Sequence, residues 1–151
     1  MKASAPGKAI LFGEHAVVYG RPAIAVPVHQ VRTEVDVSPS PQPGIHIEAP
    51  DIGLSAELNS LPSDHPLAAQ IHNLLFALKI DPFPDLHIRI SSSIPVASGL
   101  GSGAAASVAL IRALAGALER PLSDEQVNAL AYVGLLILQA LGRWARVAVP
   151  A

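Results

Sequence analysis

The chain has 151 residues, of which 50% are hydrophobic and 15% are charged, so we expect a folded domain and exclude disorder of the whole chain. The net charge of −2 gives no basic surface of the kind that binds nucleic acids, so an acidic or phosphorylated ligand needs a local site. The absence of cysteine excludes disulfides, a thiolate nucleophile and cysteine-ligated zinc.

The start of the chain has no apolar segment typical of a secretory signal. The longest apolar run, residues 129–141, is shorter than the ~20 residues that a membrane-spanning helix needs. We therefore expect a soluble, cytoplasmic protein without a membrane partner.

Two extended segments are predicted in the first part of the chain. Residues 8–12 form a short apolar run between Gly7 and Gly13, which is typical of a buried strand that ends in a turn. Residues 23–37 form a longer segment in which apolar and charged side chains alternate, as in a half-buried strand. Pro27 predicts an edge or a bulge within this strand.

The segment that follows predicts a strand pair and then a helix. The three prolines in residues 38–44 indicate a hairpin connection, with residues 45–48 as the strand that returns. Asp64 or His65 is expected to cap a helix that has Pro66 in its first turn. One face of this helix is apolar and consists of Leu67, Ile71, Leu74, Leu75 and Leu78.

The last predicted elements are a strand and two helices. Residues 86–90 alternate as a strand does, and residues 102–118 form an alanine-rich helix. Ser123 and Gln126 have the spacing of a capping box at the start of one more helix. The order of the elements indicates a mixed α+β fold.

The most informative local feature is a glycine-rich turn directly before the alanine-rich helix. Its alternating glycines free the backbone to curl, and the small residues after them let a ligand approach closely. The unpaired N–H groups and the positive dipole end of the helix face the turn, which suits phosphate binding. The residues of this predicted site are Pro95, Val96, Ala97, Ser98, Gly99, Leu100, Gly101, Ser102, Gly103, Ala104 and Ala105.

Other interpretations of the turn are weaker. A Walker A loop is excluded because no Gly-Lys-Ser/Thr follows. A dinucleotide-binding turn fits the spacing of Gly99, Gly101 and Ala104, but the turn lies well beyond the predicted strand 86–90. Glu119, about 20 residues on, lies at a helix end rather than at the tip of a second strand. Tight packing of helix and strand without any ligand is the structural alternative.

A second motif, APGKAILFGEHAVVYG, occupies residues 5–20 and places Lys8, Glu14 and His15 around the first predicted strand. Taken alone, a lysine at the start of a strand is usually a solvated charge, and a Glu-His pair is usually part of a turn. The motif therefore indicates a site only in combination with the glycine-rich turn.

Together the two motifs resemble those of the GHMP kinases, a family named for its galactose, homoserine, mevalonate and phosphomevalonate members. The string at residues 5–20 is most similar to that of the members that phosphorylate mevalonate, and the P-x-x-x-G-L-G-S-x-A-A turn is similar to the family's ATP-binding motif. The resemblance covers residues 2–132. It implies the family's N-terminal fold (ribosomal protein S5 domain 2-like), with a mixed sheet and helices on one side, and an ATP- and substrate-binding domain at residues 1–132.

The resemblance also implies an activity, the Mg²⁺-dependent transfer of the γ-phosphate of ATP to the primary hydroxyl of mevalonate in isoprenoid biosynthesis. Lys8 would be the catalytic residue close to the reacting groups, where it offsets developing charge. Glu14 and His15 would shape the pocket for the small-molecule substrate. Ser102 would contribute a hydroxyl near the metal, whereas Gly103 replaces the serine that contacts magnesium in many relatives, which puts metal binding by this loop in doubt.

The end of the chain departs from the family pattern. The last acidic residue is Glu125, so the catalytic aspartate and the second glycine-rich motif of a C-terminal GHMP domain are not expected here. We interpret residues 133–151 as a tail outside the family, produced by a frameshift or a truncated gene, with a natural short helix and strand as the alternative. An apolar face left exposed where a second domain would dock predicts self-association or a homo-oligomer.

Two other functional hypotheses stay open. Another GHMP small-molecule kinase, similar to phosphomevalonate kinase, is disfavoured by the H-A-V-V-Y-G continuation of the first motif. A non-catalytic nucleotide-binding fragment would bind ATP without phosphate transfer, and we expect this polypeptide to be inactive on its own.

Overall fold

The computed structural model describes residues 1–13, 19–95 and 98–132, together with the helical backbone of residues 133–140. The strands are β1 (Lys2–Phe12), β2 (Ile24–Pro39), β3 (Ile45–Ala49), β4 (Leu54–Glu57) and β5 (Leu86–Ser92). The helices are α1 (Pro66–Ala77), α2 (Ser102–Ala117) and α3 (Asp124–Ala140), and short 3₁₀ turns at Pro50–Ile52 and Leu58–Ser60 flank β4. No helix within these ranges is long and apolar enough to cross a bilayer.

The five strands form one mixed sheet in the order β1-β2-β5-β3-β4. The β1–β2, β2–β5 and β3–β4 pairs are antiparallel, and β3 runs parallel to β5. Helix α2 packs directly on β1, β2 and β5, and α1 and α3 pack against α2 and against each other. This is the α+β arrangement expected from the sequence, with a mixed sheet and helices on one side.

The expected hairpin between β2 and residues 45–48 is wrong, because β5 lies between β2 and β3. The proline-rich connection bonds to the start of β5 instead. The Ser40 N–H donates to the Asp85 carbonyl at 3.0 Å, and the Gly44 N–H donates to the Asp85 carboxylate at 2.7 Å. A local turn signal shows that the chain reverses, but it does not show which later strand enters the gap.

Strand β1 is longer than the predicted segment and begins at Lys2. Its pairing with β2 shifts between Pro6, opposite Arg32, and Gly7, opposite Val28, so that three residues of β2 bulge out. Pro27 lies beyond this bulge, in a part of β2 that among the described strands pairs only with β1, because β5 pairs with the later part of β2. The prediction of an edge or bulge at Pro27 is confirmed.

The core lies between the helices and the face of the sheet that they cover. Ile71, Leu74 and Leu75 on the predicted face of α1 are fully buried, while Leu67 and Leu78 are partly buried against the same core. The sheet and α2 supply most of the other large buried side chains, which are Val35, Val37, Ile45, Ile47, Ile88, Leu110, Ile111 and Leu114. Because the aromatic content is low, this core is built from aliphatic side chains.

The helix starts follow the local signals. Helix α1 begins at Pro66 directly after His65, which occupies the N-cap position without a side-chain capping bond. The capping box of α3 is confirmed, because the Ser123 N–H donates to Gln126 Oε1 at 2.9 Å and the Gln126 N–H donates to Ser123 Oγ at 3.3 Å.

Candidate functional site

The glycine-rich turn ends in the left-handed backbone region that glycine adopts at least cost. Gly99 has φ +75° and Gly101, the N-cap of α2, has φ +73°. At its N-terminus α2 has no side-chain capping bond, and its first turn contains no acidic residue. As at the start of any α-helix, the first N–H groups of α2 have no intrahelical partner, and the first turn of α2 itself carries no acidic side chain that would offset the positive end of the helix dipole.

Strand β1 lies against this turn. The Lys8 N–H donates to the Leu100 carbonyl at 2.8 Å. A Cβ built on Gly101 would lie 2.9 Å from Lys8 Cγ and 3.1 Å from Lys8 Cε, so the Lys8 side chain runs directly across this glycine. A Cβ on Gly7 would lie 3.3 Å from the Leu100 carbonyl oxygen, so the approach of the two segments is close here too. Two motifs that are about ninety residues apart in sequence thus form one site.

The start of the loop is anchored on β2 by two serines. The Ser93 N–H donates to the Arg32 carbonyl at 2.9 Å, and the Arg32 N–H donates to Ser93 Oγ at 2.9 Å. The buried Thr33 hydroxyl and Ser92 Oγ are 2.9 Å apart, and the Ile94 N–H donates to Ser92 Oγ at 3.2 Å. These bonds fix the point from which the loop leaves β5.

A cavity of about 420 Å³ opens beside the first turn of α2. Its volume lies in the range typical of small-molecule sites. The Asp51 carboxylate is on its rim and accepts a hydrogen bond from the Ser92 N–H at 2.6 Å. The lining is mostly aliphatic and consists of Thr33, Ala49, Asp51, Ile52, Leu67, Ile90, Ser92, Ser93, Ile94, Pro95, Ser102, Gly103 and Ala106.

A second concavity has a different character. It lies on the open face of the sheet, where Lys2, Glu34, Asp36 and Arg89 surround it. The Lys2 ammonium is 3.4 Å from the Asp36 carboxylate; the Lys2 side chain is largely exposed, and the Asp36 side chain is partly exposed. No described residue of the glycine-rich turn lines this concavity, whereas Pro95, Ser102 and Gly103 line the cavity at α2, so we assign the candidate site to that cavity.

Comparison with known proteins agrees with this geometry. The model of the GHMP kinases N-terminal domain matches residues 67–140. The mevalonate kinase of Pyrococcus horikoshii is 38% identical over 150 residues, which covers 91% of this chain and 44% of the relative. The mevalonate kinase of Methanothermobacter thermautotrophicus is 43% identical over 114 residues, covering 74% of this chain and 35% of the relative.

Solved structures agree as well. The mevalonate kinase of Methanococcus jannaschii superposes with a TM-score of 0.80 at 31% identity, covering 93% of this chain and 47% of that one. A mevalonate kinase of L. major in complex with R-mevalonate gives a TM-score of 0.66 at 30% identity, covering 89% of this chain and 41% of that one. In sequence and in fold the chain is therefore similar to the GHMP kinases, and the model of their N-terminal domain matches just under half of it. The chain spans less than half of the length of these relatives.

The GHMP kinase motifs predicted from the sequence are brought together only in part by the described residues. Lys8, Leu100 and Gly101 are in direct contact, and Ser102 and Gly103 line the cavity. Of the other described residues of the turn, Pro95 lines the cavity, and Ser98 Oγ accepts a hydrogen bond from the Leu100 N–H at 3.4 Å. Gly99 directly precedes the residues that contact Lys8. Ala104 is half-buried, and Ala105 is in the core.

Four predicted site residues, Glu14, His15, Val96 and Ala97, lie outside the described residues. The expected role of Glu14 and His15 in the acceptor pocket stays a prediction. The expected domain boundary at residue 132 also stays a prediction.

Sequence reasoning missed Thr33, Asp51 and Ser92 on the walls of the cavity. The run of three serines directly before the turn, residues 91–93, was a visible signal for Ser92. Thr33 and Asp51 carry no such signal, because each is more than forty residues from the glycine-rich turn. Thr33 reaches the cavity through the pairing of β2 with β5, and Asp51 reaches it through the 3₁₀ turn that follows β3.

Magnesium fits this candidate site only together with a phosphate ligand. Within the described ranges no group of three or more His, Cys, Asp or Glu side chains could hold a metal ion. Ser102 supplies one hydroxyl at the cavity, and Mg²⁺ commonly takes one or two protein oxygens and completes its shell with phosphates and water.

Proposed function

We propose that this chain is the nucleotide-binding half of an enzyme that transfers the γ-phosphate of ATP to the primary hydroxyl of mevalonate and forms 5-phosphomevalonate. The observation that carries the proposal is the contact of Lys8 with the glycine-rich turn at the start of α2. A phosphate on the turn and the lysine would then lie side by side, as phosphoryl transfer requires.

The turn and the cavity divide the nucleotide between them. The free N–H groups at the start of α2, from Ser102 onward, point toward the position where a phosphate chain would bind. The adjoining aliphatic walls, which include Ile52, Leu67 and Ile94, suit the face of a nucleobase. This division supports ATP as the phosphate donor.

Lys8 supplies positive charge to the transferred group. No ion pair engages its ammonium among residues 1–13, 19–95 and 98–132, so no carboxylate of this part of the chain offsets its charge. A lysine in this position stabilises the charge that develops on the γ-phosphate oxygens and favours ionisation of the acceptor hydroxyl. We assign Lys8 as the catalytic residue.

Ser102 is the residue of the described site that would hold Mg²⁺ with the phosphates. The metal, when bound, neutralises charge on the β- and γ-phosphate oxygens. Because a single hydroxyl is a weak ligand set, we expect Mg²⁺ to bind with the nucleotide and not measurably on its own.

The mevalonate part of the proposal is supported by the relatives, which are mevalonate kinases at 33–43% identity in the range that they match. The L. major mevalonate kinase, which is 30% identical to this chain, was solved in complex with R-mevalonate. Glu14 and His15 are the residues that we propose for the acceptor pocket. We expect the chain to bind MgATP by itself, because the glycine-rich turn and Lys8 both lie within it. Because the chain spans less than half of these enzymes, we expect phosphate transfer only when the remaining half of such an enzyme is present.

The test is calorimetric titration of the full chain with MgATP, with Lys8→Ala as the variant and Lys2→Ala as the matched control. Lys2 is on the same strand, is exposed and pairs with Asp36 away from the turn. We expect Lys8→Ala to weaken MgATP binding at least about tenfold, the size of effect expected for losing one charge-assisted contact, and Lys2→Ala to leave it unchanged.

Phosphate transfer is then followed by ³¹P NMR with mevalonate or phosphomevalonate, after addition of the C-terminal half of a related mevalonate kinase. We expect phosphate transfer to mevalonate and not to phosphomevalonate. A preference for phosphomevalonate would favour the activity of a phosphomevalonate kinase. A folded chain that binds no MgATP, or an Lys8→Ala variant that binds as well as the unchanged chain, contradicts the nucleotide site.

A further inference from the structure

Two glycines of the turn share a backbone conformation but differ in their surroundings. Gly99 and Gly101 have nearly equal φ angles, +75° and +73°. A Cβ on Gly99 would meet nothing within 4 Å, whereas a Cβ on Gly101 would meet three carbons of Lys8, Cγ at 2.9 Å, Cε at 3.1 Å and Cδ at 3.5 Å. The left-handed backbone therefore accounts for glycine at position 99, but position 101 has a second requirement.

The second requirement is space for the stem of Lys8. The backbones of the two segments are held together by the bond from the Lys8 N–H to the Leu100 carbonyl, next to Gly101. Since this bond fixes the distance between the strand and the turn, a Cβ at position 101 cannot be relieved by moving the two apart. The lysine side chain is the part that would have to move.

We infer that Gly101 is a positioning residue for Lys8. The aliphatic stem of Lys8 occupies the space that the side chain of any larger residue at position 101 would fill. The stem lies across the glycine, and the ammonium is one bond beyond Cε, so the charge is held at the start of α2. The inference rests on the proposed function only in assigning this charge to the bound phosphates. The seating of the side chain itself does not depend on ATP.

The simpler explanation is that Gly101 is needed for its positive φ alone. That explanation predicts the same consequences for alanine at positions 99 and 101, because both backbones are equally unfavourable for alanine. The seating of Lys8 predicts different consequences, because only alanine at position 101 displaces the lysine. Gly99→Ala is thus the matched control for Gly101→Ala.

The first experiment measures MgATP affinity by calorimetry and thermal unfolding for the full chain and for Gly99→Ala, Gly101→Ala, Lys8→Ala and the Gly101→Ala/Lys8→Ala double variant. We expect the two glycine variants to lower Tm by similar amounts. Gly101→Ala should weaken MgATP binding about tenfold more than Gly99→Ala does, a change comparable with that of Lys8→Ala. In a chain that already carries Lys8→Ala, adding Gly101→Ala should weaken MgATP binding no more than Gly99→Ala does in the unchanged chain, because no lysine stem is left to displace.

Equal losses of affinity for Gly99→Ala and Gly101→Ala would overturn the inference, as would losses for Gly101→Ala and Lys8→Ala that simply multiply in the double variant. If Gly101→Ala alone does not fold, the double variant is expected to fold, since it lacks the clash. A double variant that also fails to fold while Gly99→Ala folds would contradict the seating.

A second readout keeps the inference separate from ATP binding. Amine labelling with acetic anhydride, read by mass spectrometry, compares Lys8, which is half-buried, with Lys2, whose side chain is 82% exposed. We expect Gly101→Ala to raise the labelling of Lys8 toward that of Lys2, and Gly99→Ala to leave it unchanged. If the folded chain binds no MgATP but this pattern holds, the proposed function fails and the seating of Lys8 stands; unchanged labelling in Gly101→Ala refutes the seating.

Discussion

The two ends of the β1–β2 hairpin belong to the same pair of strands and have opposite surroundings. At the end that pairs residues 2–6 with residues 32–36, Ala5 and Val35 are buried under α2. At the other end, beyond the bulge, Leu11, Phe12 and Ile24 are 54%, 71% and 57% exposed. Apolar residues thus occur at both ends, and only contact with α2 and β5 decides which of them are buried.

The candidate site lies where these two ends meet. Gly7 and Lys8 are the first residues of β1 beyond the shift in register, and they contact the glycine-rich turn. The packed end gives the site a fixed frame, and Lys8, at the start of the other end, is half-buried against the turn. One strand can thus support a core with one half and contact a candidate site with the other.

The largest expected effect separates the core from the exposed hairpin end. Leu110→Ala removes a fully buried side chain of α2 and should lower the free energy of unfolding by about 3 kcal/mol, since the cavity adds to the lost burial. Phe12→Ala removes a larger side chain that is 71% exposed and should change it by less than about 0.5 kcal/mol. Urea denaturation measures both. A cost for Phe12→Ala that approaches that of Leu110→Ala would contradict the different packing of the two ends.

An intermediate effect is expected at the boundary between the core and the loop. Thr33→Val keeps the shape of the buried side chain and removes its hydrogen bond to the Ser92 hydroxyl, so it should cost about 1 kcal/mol of unfolding free energy. Ser38→Ala, at an exposed position of the same strand, is the control and should be close to neutral. Urea denaturation of both variants is the measurement, and equal costs would show that the hydroxyl pair does not contribute.

The smallest effect on stability is expected where association is tested. Phe12→Ser should reduce any concentration-dependent self-association of the chain and leave its unfolding unchanged, because an exposed apolar side chain favours contact with another apolar surface. Phe76→Ser is the matched control, since Phe76 is 87% exposed but lies on α1. Sedimentation velocity over a range of concentrations measures the change. If both variants reduce association equally, the hairpin end has no special part in it.

Much of the local structure was predictable from the sequence, for reasons that are local. The apolar face of α1, the capping box of Ser123 and Gln126, and the start of α2 at the glycine-rich turn depend on residues within one or two helical turns of each other. The hydrogen bonds and side-chain contacts that form these features therefore depend only on short segments of the sequence. The two motifs that resemble the GHMP kinases were visible for the same reason.

The sequence by itself determined the class of fold, the position of the glycine-rich turn and the residue types of the site. Only the tertiary structure decided that β5 enters between β2 and β3, that Asp51 and Thr33 reach the cavity, and that the stem of Lys8 occupies the space beside Gly101. The physical reason is that a strand's backbone groups can pair with any other strand, and the partner is chosen by how all the apolar faces pack together. A contact between residues 8 and 101 exists only after that choice has been made.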